Sequence, residues 1–462
     1  MSLFGLLSSG ATGIHAQGFG MQVTAQNAQN ANTEGYSRRD VRLNPLAPPP
    51  DGGGGVQVRG SRRVMDTLLE RRVLGATSAR AQAEAEVDGL SVLDRVLADV
   101  EGGLGPSLDD FEVALTQLAG RPSDSSVRIN VLAKAESLSQ AFSTASTDLT
   151  HAREDLDSRI ALEVDEVNGM LGSIADLGVQ IQRAEIGGAE ASDLRDQRDQ
   201  QVRELSEKLP ISTVEGRDGS MSVLLGGSLA LVTSDGQYTP LSATRDATSG
   251  DMTITRRTAG QDQDVSRLVD SGSLGGYIAA RDGSLADAEA ALDQLAFDIA
   301  AAYNAAHQSG VGSDGVGGRD LFSTTATPDG AAAAFIVSTD VLDNEAAIGA
   351  GADPALPGDN RNALLLAGVA DEDTSLGGTG TAQEALGSMI AVAGIAIRGA
   401  QNEASARADA AAQLTAMRDS VSGVSVDEEM INLSRFQRGY QASLRVVQTA
   451  DEMLAELMQM KR

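Results

Sequence analysis

The sequence has no cysteine and no tryptophan, and only 3% of its 462 residues are aromatic. The lack of cysteine excludes a disulfide scaffold and a thiolate metal site. Because aromatic rings are scarce and glycine is abundant, packing must depend on aliphatic side chains and close backbone contact. We therefore expect long helices lying side by side rather than a compact aromatic core, in a chain long enough for about two to four domains.

Positive charge is also scarce, since the formal net charge is −29. This balance argues against nucleic acid or an anionic lipid surface as the main partner. The two ends are mildly basic, so the negative charge lies in the middle of the chain. That distribution is typical of a protein whose termini are buried in an assembly and whose centre faces water. An acidic surface that only keeps the protein soluble would give the same distribution.

Long hydrophobic runs are absent as well. No stretch approaches the roughly 20 apolar residues that a membrane-spanning helix needs, so we expect no membrane insertion. The N-terminus superficially resembles a signal peptide, but no Lys or Arg precedes Arg38 and the apolar block Leu3–Leu7 is too short. We expect no export through a cleaved signal peptide.

The first positive signal is an apolar stripe at the N-terminus with 3-4-3-4 spacing, which is typical of a coiled-coil seam. Its members are Phe4, Leu7, Ala11, Ile14, Gly18, Met21, Ala25 and Ala28. Five glycines in the same segment weaken an isolated helix by about 1 kcal/mol each. We expect this segment to be largely disordered in the free chain and helical only when packed.

A matching stripe lies at the C-terminus, where Ser425 and Glu428 have the spacing of a capping box. It begins at Val426 and continues through Met430, Leu433, Tyr440, Leu444, Val447 and Leu454. The two stripes are most simply explained if the terminal helices pack on each other. An ordinary antiparallel helix pair that closes a globular domain would give the same periodicity.

The fold class predicted is mainly α and elongated, with terminal coiled-coil helices, a helical rod domain built from both chain ends, and an inserted antiparallel β domain. A helix over 125–184 would span about 90 Å. Helix is also expected from Ser61 to about Val100, from Ser192 as N-cap, over Ser284–His307, near 360–370 and from about 382 to 420. A period of two predicts strands between Pro210 and about Asp270, and one more at Phe335–Val337.

The predicted domain boundaries follow from these periods. They are 1–36 with 424–462 as a terminal helical domain, 37–60 as a hairpin with a flexible loop, 61–209 with 283–309 and 359–423 as the helical rod domain, 210–282 as the β insertion, and 310–358 as a loop-rich insertion.

No residue pattern indicates catalysis or cofactor or metal binding. His15, His151 and His307 are far apart and are interpreted as surface or packing residues. The stretch Gly310–Asp320 lacks the ligand spacing of an EF-hand and is interpreted as a turn. We therefore predict no catalytic, cofactor or metal site and no enzyme.

Several motifs resemble the family of the bacterial flagellar hook-associated protein 1, the hook–filament junction protein. The stretches Asp193–Leu205, Ala302–Phe322 and Ser422–Leu454 are similar to internal and C-terminal motifs of that family. The N-terminal signature of flagellar axial proteins is matched by Asn27, Asn30, Asn32, Thr33, Gly35, Tyr36, Ser37 and Arg38.

This resemblance implies a structural protein that is exported unfolded, without a cleaved signal, and assembled into a tube through its terminal helices outside the cell. The implied partners are further copies of the chain, the hook protein, the second hook-associated protein and an export chaperone that binds about 430–462. The motif would end the inner helix and turn the chain outward, with Tyr36 and Arg38 docking the turn.

Three alternatives stay open from the sequence. The chain could be another axial protein of the hook or rod, or a second junction protein. It could also be an enzyme carried on an axial scaffold, but 208–282 and 310–358 show no catalytic constellation. A cytoplasmic helical scaffold would be expected to have terminal helices that are poor in glycine.

Overall fold

The computed structural model describes residues 3–33, 35–47, 54–96, 102–216, 218–247, 250–258, 260–323, 325–356 and 358–460. It is 65% helical. The helices are α1 Leu3–Gln29, α2 Thr67–Val96, α3 Leu104–Gly120, α4 Ser125–Glu185, α5 Ser192–Lys208, α6 Gly272–Ala280, α7 Ala286–Gln308, α8 Ala331–Ala334, α9 Arg361–Gly368, α10 Ala382–Ser422 and α11 Val426–Met460.

The strands form one hairpin and two small sheets, all antiparallel. Their bounds are β1 Arg39–Leu46, β2 Gly55–Arg63, β3 Ile211–Glu215, β4 Met221–Leu225, β5 Leu229–Val232, β6 Leu241–Arg245, β7 Met252–Thr258 and β8 Gln261–Asp264. The mainly helical fold class, with long terminal helices and antiparallel sheets between them, is confirmed.

The chain divides into two compact units. Unit 1 comprises Met1–Gln82, Ala161–Leu274 and Ala406–Arg462, and contains the terminal helices and all the strands. Within it, α1 packs along α11, and the β1–β2 hairpin packs on α1.

Unit 2 comprises Ala83–Ile160 and Gly275–Ser405. Its core corrects the expectation that aromatic residues contribute little. Five of the few aromatic side chains form one cluster, in which Phe322 lies 4.5 Å from Phe335 and 5.5 Å from Phe111 between ring centroids. Phe142 and Tyr303 complete the cluster. Scarce rings are thus concentrated at one point, where helices α3, α4 and α7 meet the loops that follow α7.

Several local predictions were wrong. Helix α2 begins at Thr67 rather than Ser61, because Ser61–Arg63 pair in β2 and the Asp66 carboxylate accepts the N–H groups of Leu68 and Leu69. The N-cap of α5 is Ala191 and no side chain caps it.

The other misses concern short elements. Phe335–Val337 forms only an isolated bridge between Val337 and Phe322 instead of a strand. Helices α3 and α6 were not predicted, although α3 carries buried residues at helical spacing, including Leu108, Phe111, Leu115 and Leu118.

Candidate functional site: the terminal helix pair and its turn

Glycines mark the closest approach between α1 and α11. A Cβ atom built on Gly20 would lie 2.5 Å from the Phe436 ring, and one on Gly10 would lie 2.6 Å from Val447 Cγ2. Real Cβ atoms do not approach so closely, so these positions need the absence of a side chain. Glycine therefore has a packing role here, besides the loss of helix stability expected from its propensity.

The predicted stripe on α1 is not the face that is most deeply buried. Phe4 is 77% exposed, Ala11 is exposed, and the other six members are half-buried. The buried residues of α1 are Gly5, Gly10, Ala16, Gly20, Val23, Thr24 and Asn27. The stripe as a set of contacts between copies stays a prediction.

The stripe on α11 is also only partly covered. Met430 and Leu444 are exposed, whereas Leu433, Tyr440, Val447 and Leu454 are half-buried. Further apolar side chains of α11 face solvent, including Ile431 at 69% and Met458 at 67% exposure. Apolar side chains that form an exposed patch are typical of an interaction site.

The turn after α1 is organised by the buried side chain of Asn27. Its Oδ1 accepts hydrogen bonds from the Tyr36 hydroxyl at 2.9 Å and from the Arg39 backbone N–H at 3.0 Å. Its Nδ2 donates to the Arg39 carbonyl at 2.9 Å. Burial raises the pKa of Tyr36 to about 12, which keeps the hydroxyl protonated as a donor. One side chain thus joins the end of α1 to the start of β1.

Gly35 in this turn has a φ of +79°, a left-handed conformation that favours glycine. A Cβ atom there would lie 3.0 Å from Gln200 Oε1 and 3.1 Å from Arg203 Nη2. Both conformation and close approach therefore require glycine at this point. Of the other motif residues, Thr33 donates to the Asn30 side chain at 3.2 Å, Asn32 is exposed, and Ser37 is half-buried.

Arg38 connects the turn to the end of α10 and to the first turn of α11. Its backbone N–H donates to the Ser422 carbonyl at 2.8 Å, and its guanidinium lies 3.3 Å from Glu428 and 3.2 Å from Glu429. The Glu428 carboxylate thus pairs with Arg38. Of the two hydrogen bonds of the expected capping box, the structure has the one from the Glu428 N–H to Ser425 Oγ, at 3.5 Å.

A buried ionic network joins the hairpin to α5. Arg39 Nη2 lies 2.5 Å from Asp193 and 3.3 Å from Asp196. Arg63 Nη1 lies 3.1 Å from Asp196 and 2.7 Å from Asp199. Burial alone would lower the pKa of Arg63, but the two carboxylates raise it, so the arginine stays charged.

The network brings together two motifs that the sequence places far apart, 27–38 and 193–205. Sequence reasoning missed Arg39 and Arg63, and it did not show that the motifs touch. A signal existed in α5, where the three aspartates recur every third residue and so share one helix face. The fully buried Arg198 extends the same network to Glu215 of β3 at 2.7 Å and to the Gly219 carbonyl at 2.9 Å.

In the loop Gly310–Asp320 of unit 2, the Asp314 carboxylate pairs with the Arg319 guanidinium at 2.7 Å. Of the two readings predicted for His307, surface or packing, the structure shows packing, because the side chain is buried. One ring nitrogen contacts the Arg319 carbonyl at 2.7 Å and the other accepts the Gly349 N–H at 2.9 Å. Burial lowers the pKa of His307, which favours the neutral ring that this pairing needs.

Across the part of the chain that the structure describes, no group of three or more His, Cys, Asp or Glu residues could hold a metal ion. Among the same residues, no helix combines the length and hydropathy needed to cross a membrane. The chemistry of the terminal site is packing, hydrogen bonding and ion pairing.

Comparison with known proteins gives concordant findings. Residues 90–322 match the family model described as "Flagellar hook-associated protein FlgK helical domain", and 418–460 match "Flagellar basal body rod FlgEFG protein C-terminal". The chain is 26% identical to flagellar hook-associated protein 1 of Salmonella typhimurium, with 99% of this chain and 100% of the relative covered.

A second relative, flagellar hook-associated protein 1 of Bacillus subtilis, is 27% identical, and 98% of this chain and 97% of the relative are covered. Among solved structures, the flagellar hook junction protein FlgK from Burkholderia pseudomallei has the same fold. Its TM-score is 0.69 at 16% identity, with 76% of this chain and 100% of that chain covered. The chain belongs to the family of the flagellar hook-associated protein FlgK.

Proposed function

We propose that this chain is the structural protein that joins hook to filament, and that it assembles into a tube through α1 and α11. The observation that carries the proposal is the incompletely covered terminal helix pair. Phe4, Ile431 and Met458 face solvent, on helices whose contact with each other is made through glycines. Exposed apolar side chains next to a close helix contact suit burial against neighbouring copies.

Export in an unfolded state explains how such a surface could be tolerated before assembly. An α1 that is weakened by glycine and separated from α11 along the chain remains disordered until it packs, and disorder prevents early polymerisation. Export would take place without a cleaved signal, and the assembled protein would be outside the cell. The free energy for ordering the termini then comes from burial during assembly.

The proposed partners are further copies of the chain, the hook protein on one side and the second hook-associated protein on the other. A dedicated export chaperone would bind about 430–462, where the exposed apolar residues of α11 are concentrated. Such a chaperone would cover Ile431, Leu457 and Met458 until export.

The runner-up is another axial protein of the hook or rod, which would share the terminal helix pair. Immunogold labelling of isolated hook–filament preparations separates the two. With an antibody to 208–282, we expect one narrow band where hook meets filament. Label along the hook, the rod or the filament would contradict the junction assignment, and no label, with an antibody shown to bind the assembled protein, would contradict an axial role.

A further inference from the structure

The outward face of the β1–β2 hairpin is basic, in a chain whose net charge is strongly negative. Arg42, Arg59 and Arg62 are all exposed. None of them forms an ion pair with the carboxylates of the described residues. Asp40 is opposite Arg62 in the register, so the arginines outnumber the one acid on this face.

Strand geometry explains why Arg42 and Arg62 point outward. Successive side chains of a strand alternate between its two faces. Arg63 points into unit 1, towards Asp196 and Asp199, so its neighbour Arg62 points to the opposite side. Arg42 is opposite Gly60, two residues from Arg62, which places both arginines on the same face.

A cleft elsewhere on unit 1 has the complementary charge. It has a volume of about 710 Å³ and is lined by the turn after α1, by α4 and by α5. Three carboxylates line it, from Asp176, Asp193 and Asp196, together with four glutamines. Asp193 and Asp196 already pair with Arg39, and Asp196 also pairs with Arg63, so Asp176 supplies the negative charge that is unpaired among the described residues. Asp176 is exposed, and the Asp193 side chain remains 73% exposed although it pairs with Arg39.

Among the described residues, the hairpin of the same chain reaches this cleft at its base, where Arg39 and Arg63 contact the aspartates. The described residues at the other end of the hairpin lie along α1, since the Val56 N–H donates to Thr12 Oγ1 at 3.4 Å. The exposed arginines are therefore available to a different molecule.

We propose that the basic face of the hairpin of one copy docks on the acidic cleft of a neighbouring copy. Each copy offers one basic and one acidic surface, which makes a heterologous contact that can repeat around a tube. Charge complementarity fixes the orientation of copies that would otherwise repel each other. This contact rests on the proposed function, because it needs copies to lie side by side.

The absence of cysteine allows a direct crosslinking test. The full chain carrying Arg62→Cys and Asp176→Cys would be expressed in cells lacking the native protein, and intact flagella would be treated with a short bismaleimide. A spacer is needed because an arginine–aspartate contact holds the Cα atoms farther apart than a disulfide permits. We expect crosslinked dimers and larger species that are absent without the reagent.

The matched control pairs Arg62→Cys with Asp165→Cys, which is exposed on α4 but does not line the cleft. Dimers in both pairs, or in neither, would overturn the docking contact. Immunogold labelling of the same flagella keeps this result separate from the proposed function. Label at the junction without Asp176-specific dimers rejects only the docking, whereas label away from the junction rejects the function itself.

A charge swap gives a second test that does not depend on crosslinking geometry. We expect Arg62→Glu to reduce the amount of protein retained at the junction, and Asp176→Arg in the same chain to restore it. Loss without restoration would contradict a contact between these two surfaces. Because both side chains are exposed, neither change should prevent folding of the chain.

Discussion

The helix pair of unit 1 and the core of unit 2 solve the packing problem in opposite ways. Unit 2 buries large side chains within itself, and its aromatic cluster is covered on all sides. The α1–α11 pair sets glycines of α1 against side chains of α11 at its closest contacts and leaves apolar residues outside. The core of unit 2 is covered within a single chain, whereas the proposed function has the apolar surface of the helix pair covered by neighbouring copies.

The strongest test of the comparison is to open the core of unit 2. Phe322→Ala should destabilise the free chain by about 3–5 kcal/mol, because it removes a buried ring that contacts three others. Hydrogen exchange of peptides from unit 2 would measure the effect. The control is Ile336→Ala, at a half-exposed side chain of the same unit. Equal effects of the two changes would contradict a self-contained core.

The next largest effect is expected at the turn after α1. Asn27→Ala removes three hydrogen bonds and leaves the Arg39 N–H and carbonyl without their partner, at a cost of roughly 2–3 kcal/mol. Asn30→Ala is the control, since the Asn30 side chain makes two local hydrogen bonds, to the Gln26 carbonyl and from the exposed Thr33 hydroxyl, and none to β1. Hydrogen exchange at the start of β1 should rise in the first variant and change little in the second.

A smaller effect with an informative sign is expected from glycine substitutions. Gly20→Ala should weaken the α1–α11 contact by about 1–3 kcal/mol, because its Cβ would overlap the Phe436 ring. Gly178→Ala in α4 meets open space and should stabilise its helix by up to about 1 kcal/mol. Retention at the junction and exchange in α1 would report the first change, and exchange in α4 the second. The idea that glycine is needed for close approach fails if Gly20→Ala is also stabilising.

The smallest expected effect depends on pH and is confined to unit 2. Burial, helped by Asp109 and Asp371, raises the pKa of Glu112 to about 7. The folded state therefore holds a proton that the unfolded state loses near its ordinary pKa of about 4.3. Protonated Glu112 therefore adds to the free energy of unfolding at low pH, and this contribution is lost as the pH rises to about 7. Because the side chain is only half-buried, we expect the loss to be roughly 1 kcal/mol.

Glu112→Gln should remove this slope. Thermal unfolding of variant and parent between pH 4.5 and pH 8 would measure this pH dependence. The difference between the two proteins is the relevant quantity, because His307 contributes a pH dependence of opposite sign to both. The lowered pKa of His307 makes stability fall as pH drops below its ordinary value of about 6.5. If parent and variant unfold with the same pH dependence, Glu112 is not a buried acid of this kind.

The parts of the fold that were predictable are those encoded by local periodicity. Apolar spacing indicated α11 and the length of α4, and alternation indicated β1, β2, β4 and β5. The start of α4 was marked by Pro122-Ser123-Asp124, and Asp124 does accept the Ser126 N–H. These signals work because each depends on residues within a few positions of one another.

The site was less predictable, because its contacts join distant parts of the chain. Both motifs, 27–38 and 193–205, could be recognised, but nothing local shows that Arg39 meets Asp193. The low helix propensity of glycine predicts that Gly20 weakens α1. That Gly20 also allows close packing of α1 on α11 becomes visible only from the position of the Phe436 ring. Likewise, the buried role of His307 depends on Gly349, which lies more than 40 residues away.

A single cysteine can test whether α1 becomes ordered only against neighbouring copies, as proposed. Ala16→Cys in α1 and Ala135→Cys in unit 2 both replace residues that are at most 1% exposed. In the free chain, we expect rapid maleimide labelling of Ala16→Cys and none of Ala135→Cys, whereas in intact flagella both should be protected. Protection of Ala16→Cys in the free chain, equal to that of Ala135→Cys, would show that α1 is ordered without neighbours.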